Sequence, residues 1–221
     1  MFVGHYGVSF LAKRVDDAIP LWVLFLAVQL LDVVWAPLVM LGVEKVRIVP
    51  GVTATNPLDL YYYPYTHSLV AAIAWSAAAA IAYRLWTGAT ARAGGGTRGS
   101  LLVGLAVLSH WILDFVVHRP DLPLYDDTAK VGLGLWDRPA VAFALEALLL
   151  LFGLRLLLRR RPVRPVGLIV FCLVMLAVQA VAFFGPPPAS GEAIAATALG
   201  SYAVFALVAW WLADRRPAES S

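Results

Sequence analysis

Long apolar runs constrain this chain more than any other feature of its sequence. As α-helices, which rise about 1.5 Å per residue, six of them are long enough to cross a hydrocarbon layer about 30 Å thick. The predicted spans are residues 19–43, 67–86, 99–118, 138–158, 166–184 and 192–213. Of the 221 residues, 61% are hydrophobic and 14% are charged, which is unlike a soluble domain. We therefore expect an all-α, polytopic membrane protein with about six transmembrane helices.

Turn-rich connectors join the spans, and residues 1–214 are predicted to form a single integral membrane domain. The polar motifs lie within residues 1–146, and the helices within 166–213 are predicted to be scaffold. Residues 1–12 are apolar but too short to span, which predicts an interfacial or re-entrant helix. Residues 93–97 predict a flexible linker, and 215–221 predict a disordered tail.

The basic residues are distributed unevenly between the two sides of the predicted bundle. Twelve of the 17 Lys and Arg residues fall on the side that holds both predicted termini, and five fall on the other side. This bias predicts a bacterial-type inner membrane protein with both termini in the cytoplasm. The net charge of +3 comes from Arg residues in loops beside the spans, so nucleic acid is not expected as a partner.

Ionisable side chains inside the predicted spans are the candidate functional residues, because such groups are costly in hydrocarbon. They are Asp32, His67, His110, Asp114, His118 and Glu146. His110, Asp114 and His118 are spaced i, i+4 and i+8, which places them on one face of a helix. Since no Lys or Arg lies among the six, they require a bound cation or protonated carboxylates. A divalent metal is the simplest answer; mixed His and carboxylate ligands suit zinc, with manganese or iron as alternatives.

Structural roles remain open for single members of this set. His67 or His118 alone is typical of an interfacial residue, and Glu146 alone is typical of a protonated acid bonded to a neighbouring helix. Gln179, in the fifth span, predicts an interhelical hydrogen bond. The tyrosines at 61, 62, 63 and 65 predict an aromatic belt at the membrane surface.

The order of these motifs resembles the membrane-bound metal-dependent hydrolases of bacteria. That family is distantly similar to the zinc-dependent phospholipase C and single-strand nuclease superfamily. The resemblance covers about residues 1–146 and rests on Gly4-His5, Asp32, Thr66-His67-Ser68-Leu69 and Ser109-His110 with Asp114.

The resemblance implies that one or two ions, most simply zinc, are held by His5, Asp32, His67, His110, Asp114 and His118. Ala142 stands where the superfamily pattern has a His, four residues before Glu146, so a full three-zinc site is not expected. His5 reaches the other ligands only if the first helix is re-entrant.

The activity implied by the resemblance is metal-assisted hydrolysis of a phosphodiester or phospholipid ester, with membrane lipid or another amphiphile as the partner. Asp32, Asp114 or Glu146 is expected to take the proton from water, and Thr66 and Ser109 are expected to orient histidines.

Two other classes of function remain open. A small proton- or metal-coupled transporter or channel also places acids and histidines within helices. A non-catalytic assembly protein uses them as interhelical contacts.

Overall fold

A computed structural model of the chain describes residues 1–89, 96–160, 162 and 164–215. Its helices are α1 (His5–Val15), α2 (Leu21–Val28), α3 (Leu30–Met40), α4 (Pro64–His67), α5 (Leu69–Ala89), α6 (Thr97–Val117), α7 (Pro139–Leu158), α8 (Pro165–Phe184) and α9 (Gly191–Ala209). A π-helical turn, Trp210–Asp214, extends α9, and a 3₁₀ turn, Leu135–Asp137, precedes α7. Most of the predicted linker at 93–97 and of the predicted tail at 215–221 lies outside the described residues.

The predicted fold class is confirmed. Within the described residues, five helices, α5 to α9, are long and apolar enough to cross a membrane, and α2 and α3 together meet the same criterion as a pair bent by 55°, the geometry of a broken span or a re-entrant loop. The bend lies at Gln29, so the first predicted span is two helices and not one. The spans alternate in direction, and the amino end of α5, the carboxyl end of α6 and the amino end of α7 lie together. We call this the site end of the bundle.

Two short strands cover the site end. In the connector between α3 and α4, β1 (Lys45–Ile48) pairs antiparallel with β2 (Leu58–Tyr62), which the sequence reading did not predict. The connector between α6 and α7 packs beside this hairpin, where the Thr55 hydroxyl donates to the Trp136 carbonyl oxygen at 2.5 Å. In the same connector, the carbonyl oxygen of Pro123 accepts a hydrogen bond of 3.0 Å from the N–H of Leu69, the first residue of α5.

Two histidines, His67 and His118, lie just outside the spanning helices in which they were predicted. His67 was expected to open the second span, but it ends α4, and the extended residue Ser68 separates it from α5. The Ser68 hydroxyl accepts the N–H of Ala71 at 3.1 Å and thereby caps α5. His118 was expected inside the third span, but α6 ends at Val117 and His118 is extended, with φ −63° and ψ 143°.

The first helix is buried and lies against α7. The two backbones approach closely at Gly7 and Gly153, and a Cβ added to Gly153 would lie 2.3 Å from the Gly7 carbonyl oxygen. From His5 at its amino end, α1 runs away from the site end toward Lys13, whose ammonium group donates to the Ile19 carbonyl oxygen. The predicted short first helix is therefore present and packed among the spanning helices.

We expect Gly153→Ala to destabilise the protein, because the new methyl group forces α1 away from α7. Overpacking of this kind costs about 1–3 kcal/mol. Gly200→Ala is the matched control, since a Cβ there meets nothing within 4 Å and alanine favours a helix. Thermal unfolding in detergent should show a lower melting temperature for the first variant alone. Equal melting temperatures would contradict the close packing of α1.

Candidate metal centre

Six side chains that were predicted as ligands meet at the site end. His5 begins α1, Asp32 lies in the first turn of α3 and His67 ends α4, while α6 and the residue that follows it supply His110, Asp114 and His118. All four histidines are buried, as is Asp114, and the Asp32 side chain is 17% exposed. The structure therefore brings together residues that are up to 113 positions apart in the sequence.

Asp114 lies at the centre of this cluster and uses both of its oxygens. Its Oδ1 is 3.2 Å from His5 Nε2 and 2.5 Å from the amino group of Met1. Its Oδ2 is 3.1 Å from His110 Nε2, 3.6 Å from His118 Nε2 and 3.9 Å from His67 Nε2. One carboxylate thus faces all four imidazole rings.

The Nδ1 atom of each of three rings is held by a hydrogen-bond acceptor. His110 Nδ1 lies 2.7 Å from the carbonyl oxygen of Val28, the last residue of α2. Because helix α2 ends there, this carbonyl has no partner further along its own helix. A carbonyl only accepts, so Nδ1 carries the proton, and Nε2 of a neutral ring presents its lone pair to the cluster.

His67 is fixed in the same way through Thr66. The Thr66 hydroxyl donates to Glu44 Oε2 at 2.7 Å and lies 2.7 Å from His67 Nδ1, so it accepts the ring proton. Glu44 also accepts the backbone N–H of Thr66 at 3.0 Å. Burial raises the pKa of Glu44, and the hydrogen bonds from Thr66 to its ionised form oppose that rise. Sequence reasoning proposed the role of Thr66 but missed Glu44.

Asp121 holds His118. Its Oδ1 is 3.0 Å from His118 Nδ1, and Arg119 Nε donates to its Oδ2 at 2.9 Å. Burial acts to raise the pKa of Asp121, but the hydrogen bonds from His118 and Arg119 and the charge of Arg119 outweigh burial and hold the pKa below its usual range. Arg119 also pairs with Asp59 of β2, which ties this connector to the hairpin. The role of Asp121 was not predicted.

The His5 ring is the least constrained of the four. It stacks on His110 with ring centroids 4.0 Å apart and an angle of 7° between the planes. Neither of its nitrogens has a hydrogen-bond partner among the described residues. Two stacked imidazolium ions would repel each other, so the stacking favours neutral rings with at least one free lone pair.

Asp32 lies on the far side of His67 and His110. Its Oδ1 is 3.3 Å from His67 Nε2 and 3.8 Å from His110 Nε2. Its Oδ2 accepts the hydroxyl of Tyr202 at 2.7 Å. Because Tyr202 belongs to α9, the last helices contribute a contact to the site and are more than the scaffold that was expected.

Glu146 and Ser109 have roles that differ from the expected ones. Glu146 Oε2 accepts the backbone N–H groups of Phe2 at 2.8 Å and Gly4 at 3.1 Å, which anchors the amino-terminal segment. Its Oε1 is buried without a hydrogen-bond partner among the described residues. The Ser109 hydroxyl donates to the Ala106 carbonyl of its own helix at 2.7 Å, so it does not orient His110.

The donor set suits a divalent cation. His5, His110 and Asp114 form one group, and Asp32, His67 and His110 form another, with the ligand atoms of each group within 4.8 Å of one another. Both groups combine imidazole nitrogen with carboxylate oxygen, the donors that zinc, manganese and iron accept. Both groups include His110. Since its Nε2 can bind only one ion, His110 can complete only one of the two groups at a time.

A cavity of about 490 Å³ opens beside the cluster. Its polar wall includes Asp32, His67, Asp114, His118 and Glu146. Most of the remaining lining is apolar and comes from α8, α9 and the connector between them. A cavity of this size accommodates a small-molecule ligand.

Comparisons of the chain with protein-family models, with curated proteins and with solved structures found no match. The resemblance noted from the sequence motifs therefore stays a prediction, and the candidate function rests on the geometry of the site.

We expect Thr66→Val to weaken metal binding about 10- to 100-fold, which is the usual effect of losing a partner that orients a ligand. The change removes the hydroxyl between His67 and Glu44 and keeps the side-chain volume. Ser109→Ala is the control, because that hydroxyl bonds only within α6. Competitive zinc titration against a chromophoric chelator measures the two affinities. Equal affinities for both variants would contradict the orienting role of Thr66.

Proposed function

We propose that this protein is a membrane-embedded, metal-dependent hydrolase that cleaves a phosphoester or ester in a lipid or another amphiphile. The observation that carries the proposal is the orientation of the histidine rings. His67, His110 and His118 each donate a proton from Nδ1, so their Nε2 lone pairs point at the oxygens of two carboxylates. Lone pairs that face carboxylates repel them unless a cation lies between.

Protonation of the rings is the other way to relieve this repulsion, but the surroundings disfavour it. Two or three imidazolium ions would be buried among spanning helices, where charged groups are costly. The charged amino group of Met1 pairs with Asp114 Oδ1 at 2.5 Å and offsets part of the negative charge. No Lys or Arg side chain is among the described residues that line the cavity. A divalent ion would balance the remaining charge of Asp32 and Asp114 and leave the histidines neutral.

The residues divide into two groups of ligands. Asp32, His67 and His110 would hold one ion. His5, His110 and Asp114 are the other candidate group, and an ion held there would displace the amino group of Met1 from Asp114. Zinc is our choice because buried histidine and carboxylate donors at low coordination number are its common ligands. A divalent ion in this place supplies Lewis acidity toward water and toward a phosphoryl or acyl oxygen.

Glu146 is the carboxylate best placed to take a proton. Asp114 faces four rings, and Asp32 accepts Tyr202 at one oxygen and faces two rings with the other. Glu146 Oε1 remains free, and the residue lines the cavity. It would accept the proton of the attacking water and return it to the leaving group. The Tyr202 hydroxyl would keep Asp32 oriented toward the histidines.

Apolar packing below the cluster supports hydrolysis over transport. Between the cluster and the opposite end of the bundle lie Phe10, Phe25 and Phe171, with ring centroids 5.5 Å apart for the first pair and 5.9 Å for the second. A proton or metal-ion path across the membrane needs polar groups through this layer. Together with the excess of basic residues at the opposite end, this arrangement supports an inner membrane protein whose site faces the exterior and whose last helix ends on the cytoplasmic side. The expected cytoplasmic amino terminus is not part of this proposal, because the amino group of Met1 lies at the site end, 2.5 Å from Asp114 Oδ1.

We expect Asp114→Asn to abolish hydrolysis and to lower the metal content, because a neutral amide cannot balance a divalent ion. The loss of activity should exceed the roughly 100-fold effect of losing an outer partner. Asp137→Asn, in the exposed turn before α7, is the control and should keep both properties. Elemental analysis and turnover of a synthetic phosphodiester, before and after chelation and zinc return, measure them. Wild-type metal content in Asp114→Asn would refute the proposed site.

Glu146→Gln should lower kcat about 100-fold or more while the metal content stays at the wild-type level, as expected for loss of a general base. The glutamine carbonyl oxygen can still accept the N–H groups of Phe2 and Gly4, so the fold is kept. Glu192→Gln, at the exposed start of α9, is the matched control. Steady-state kinetics at saturating zinc is the measurement. An unchanged kcat would assign the proton transfer to another group.

A further inference from the structure

The last two spanning helices meet at one end only. Just below the site, the rings of Phe171 in α8 and Phe205 in α9 lie 5.6 Å apart. One turn lower, Gly167 is so close to Leu212 that an added Cβ would lie 2.6 Å from it. Toward the site end, α8 packs on α7 and α9 packs on α3, and the cavity lies between them.

The walls of this gap are open to the outside of the protein. Val181 and Ala182 of α8 line the cavity and are exposed, and so are Ala193 and Thr197 of α9. All four lie within helices that are long and apolar enough to span a membrane. Since Val181 and Ala182 lie in the last turn of α8 and Ala193 in the first turn of α9, this side faces the boundary between the head groups and the alkyl chains of the bilayer. The cavity therefore opens sideways toward lipid, and we call this opening the α8–α9 cleft.

Gln179 places a polar amide group in the wall of the cleft. It is fully buried in α8 and lines the cavity, and both of its amide atoms lack hydrogen-bond partners among the described residues. The interhelical hydrogen bond that the sequence predicted for it is therefore not made. A buried amide without partners is unfavourable, which indicates a group that bonds a ligand and not one that stabilises the fold.

We propose that the α8–α9 cleft is the subsite for the alkyl chain of an amphiphilic substrate that enters from the bilayer. Gln179 donates a hydrogen bond to the oxygens where that chain joins the phosphoester or ester. The inference rests on the proposed function, because the same cavity continues to Asp32, His67 and Asp114, where that bond would be cleaved. The occupant is a bilayer amphiphile, since an apolar cleft that opens on lipid favours an alkyl chain over a water-soluble substrate.

The first test compares two synthetic phosphodiesters, methyl 4-nitrophenyl phosphate and hexadecyl 4-nitrophenyl phosphate. Ala198→Phe fills the cleft from α9, and we expect it to lower the ratio of kcat/KM for the hexadecyl compound to that for the methyl compound about 10-fold or more. Ala196→Phe, exposed on α9 but away from the cavity, should keep the ratio within about 2-fold. Ala182→Phe against Ala177→Phe repeats the comparison on α8, in case one variant does not fold.

Gln179→Leu tests the role of this amide group. It should raise KM about 10-fold for the hexadecyl compound and leave the metal content unchanged. The melting temperature should stay equal or rise, because the change removes a buried amide without partners. A lower melting temperature with an unchanged KM would make Gln179 a structural residue and overturn its part in the proposal.

A second test does not depend on turnover. Hexadecyl phosphate with a diazirine on its chain is cross-linked to the wild-type protein in nanodiscs, and the labelled peptides are mapped. We expect labels on the cleft walls of α8 and α9, lost in Ala198→Phe and kept in Ala196→Phe. Labels spread equally over all lipid-facing helices would overturn the cleft. So would an equal change of the hexadecyl-to-methyl kcat/KM ratio in Ala198→Phe and Ala196→Phe. Cleft labelling in a protein that hydrolyses neither compound would refute the hydrolase but retain the chain subsite.

Discussion

The buried carboxylate of Asp114 is the constraint on which the rest of this structure depends. An isolated charged group buried among spanning helices is costly. Around Asp114 the chain places four histidine rings, three of which have Nδ1 tied to a backbone carbonyl, a threonine or a second carboxylate. Each tie fixes a ring orientation, and together they leave the free nitrogens facing one small volume.

The irregular backbone of the bundle is concentrated around that volume. The bend at Gln29 frees the Val28 carbonyl for His110, the break at Ser68 separates His67 from α5, and the end of α6 at Val117 lets His118 turn toward Asp121. Non-helical backbone within a membrane is tolerated only where protein or a cavity covers it. Here the hairpin of β1 and β2 and the connector before α7 cover it. The departures from regular helix are thus the means by which ligands from separate helices reach Asp114.

Much of this architecture could be predicted from the sequence, because the information is local. Apolar runs about 20 residues long indicate spans, and the spacing of His110 and Asp114 places both on one helix face. Glu44 and Tyr202 left no such signal, because Glu44 meets Thr66 across 22 residues and Tyr202 meets Asp32 across 170. Asp121 lies only three residues after His118, so its spacing was available in the sequence, but it was not recognised. The i+8 position of His118 suggested a helical stripe, yet His118 joins the cluster after α6 has ended. Periodicity predicts which face a residue occupies, whereas contacts between distant segments decide which neighbours it has.

The aromatic packing that stabilises the bundle lies apart from the cavity proposed for function. Below the cluster, Phe25, Phe171 and Phe205 pack together, with neighbouring ring centroids 5.6 to 5.9 Å apart, and they fix α2, α8 and α9 relative to one another. This packing holds the walls of the α8–α9 cleft apart at the site end without requiring them to touch. Unpartnered polar atoms on His5, His110, Glu146 and Gln179 are then tolerable, because well-packed helices offset their cost. Glu146 and Gln179 line the cavity, so a ligand that bonds one of them brings its other groups close to the second and to the cluster beside it.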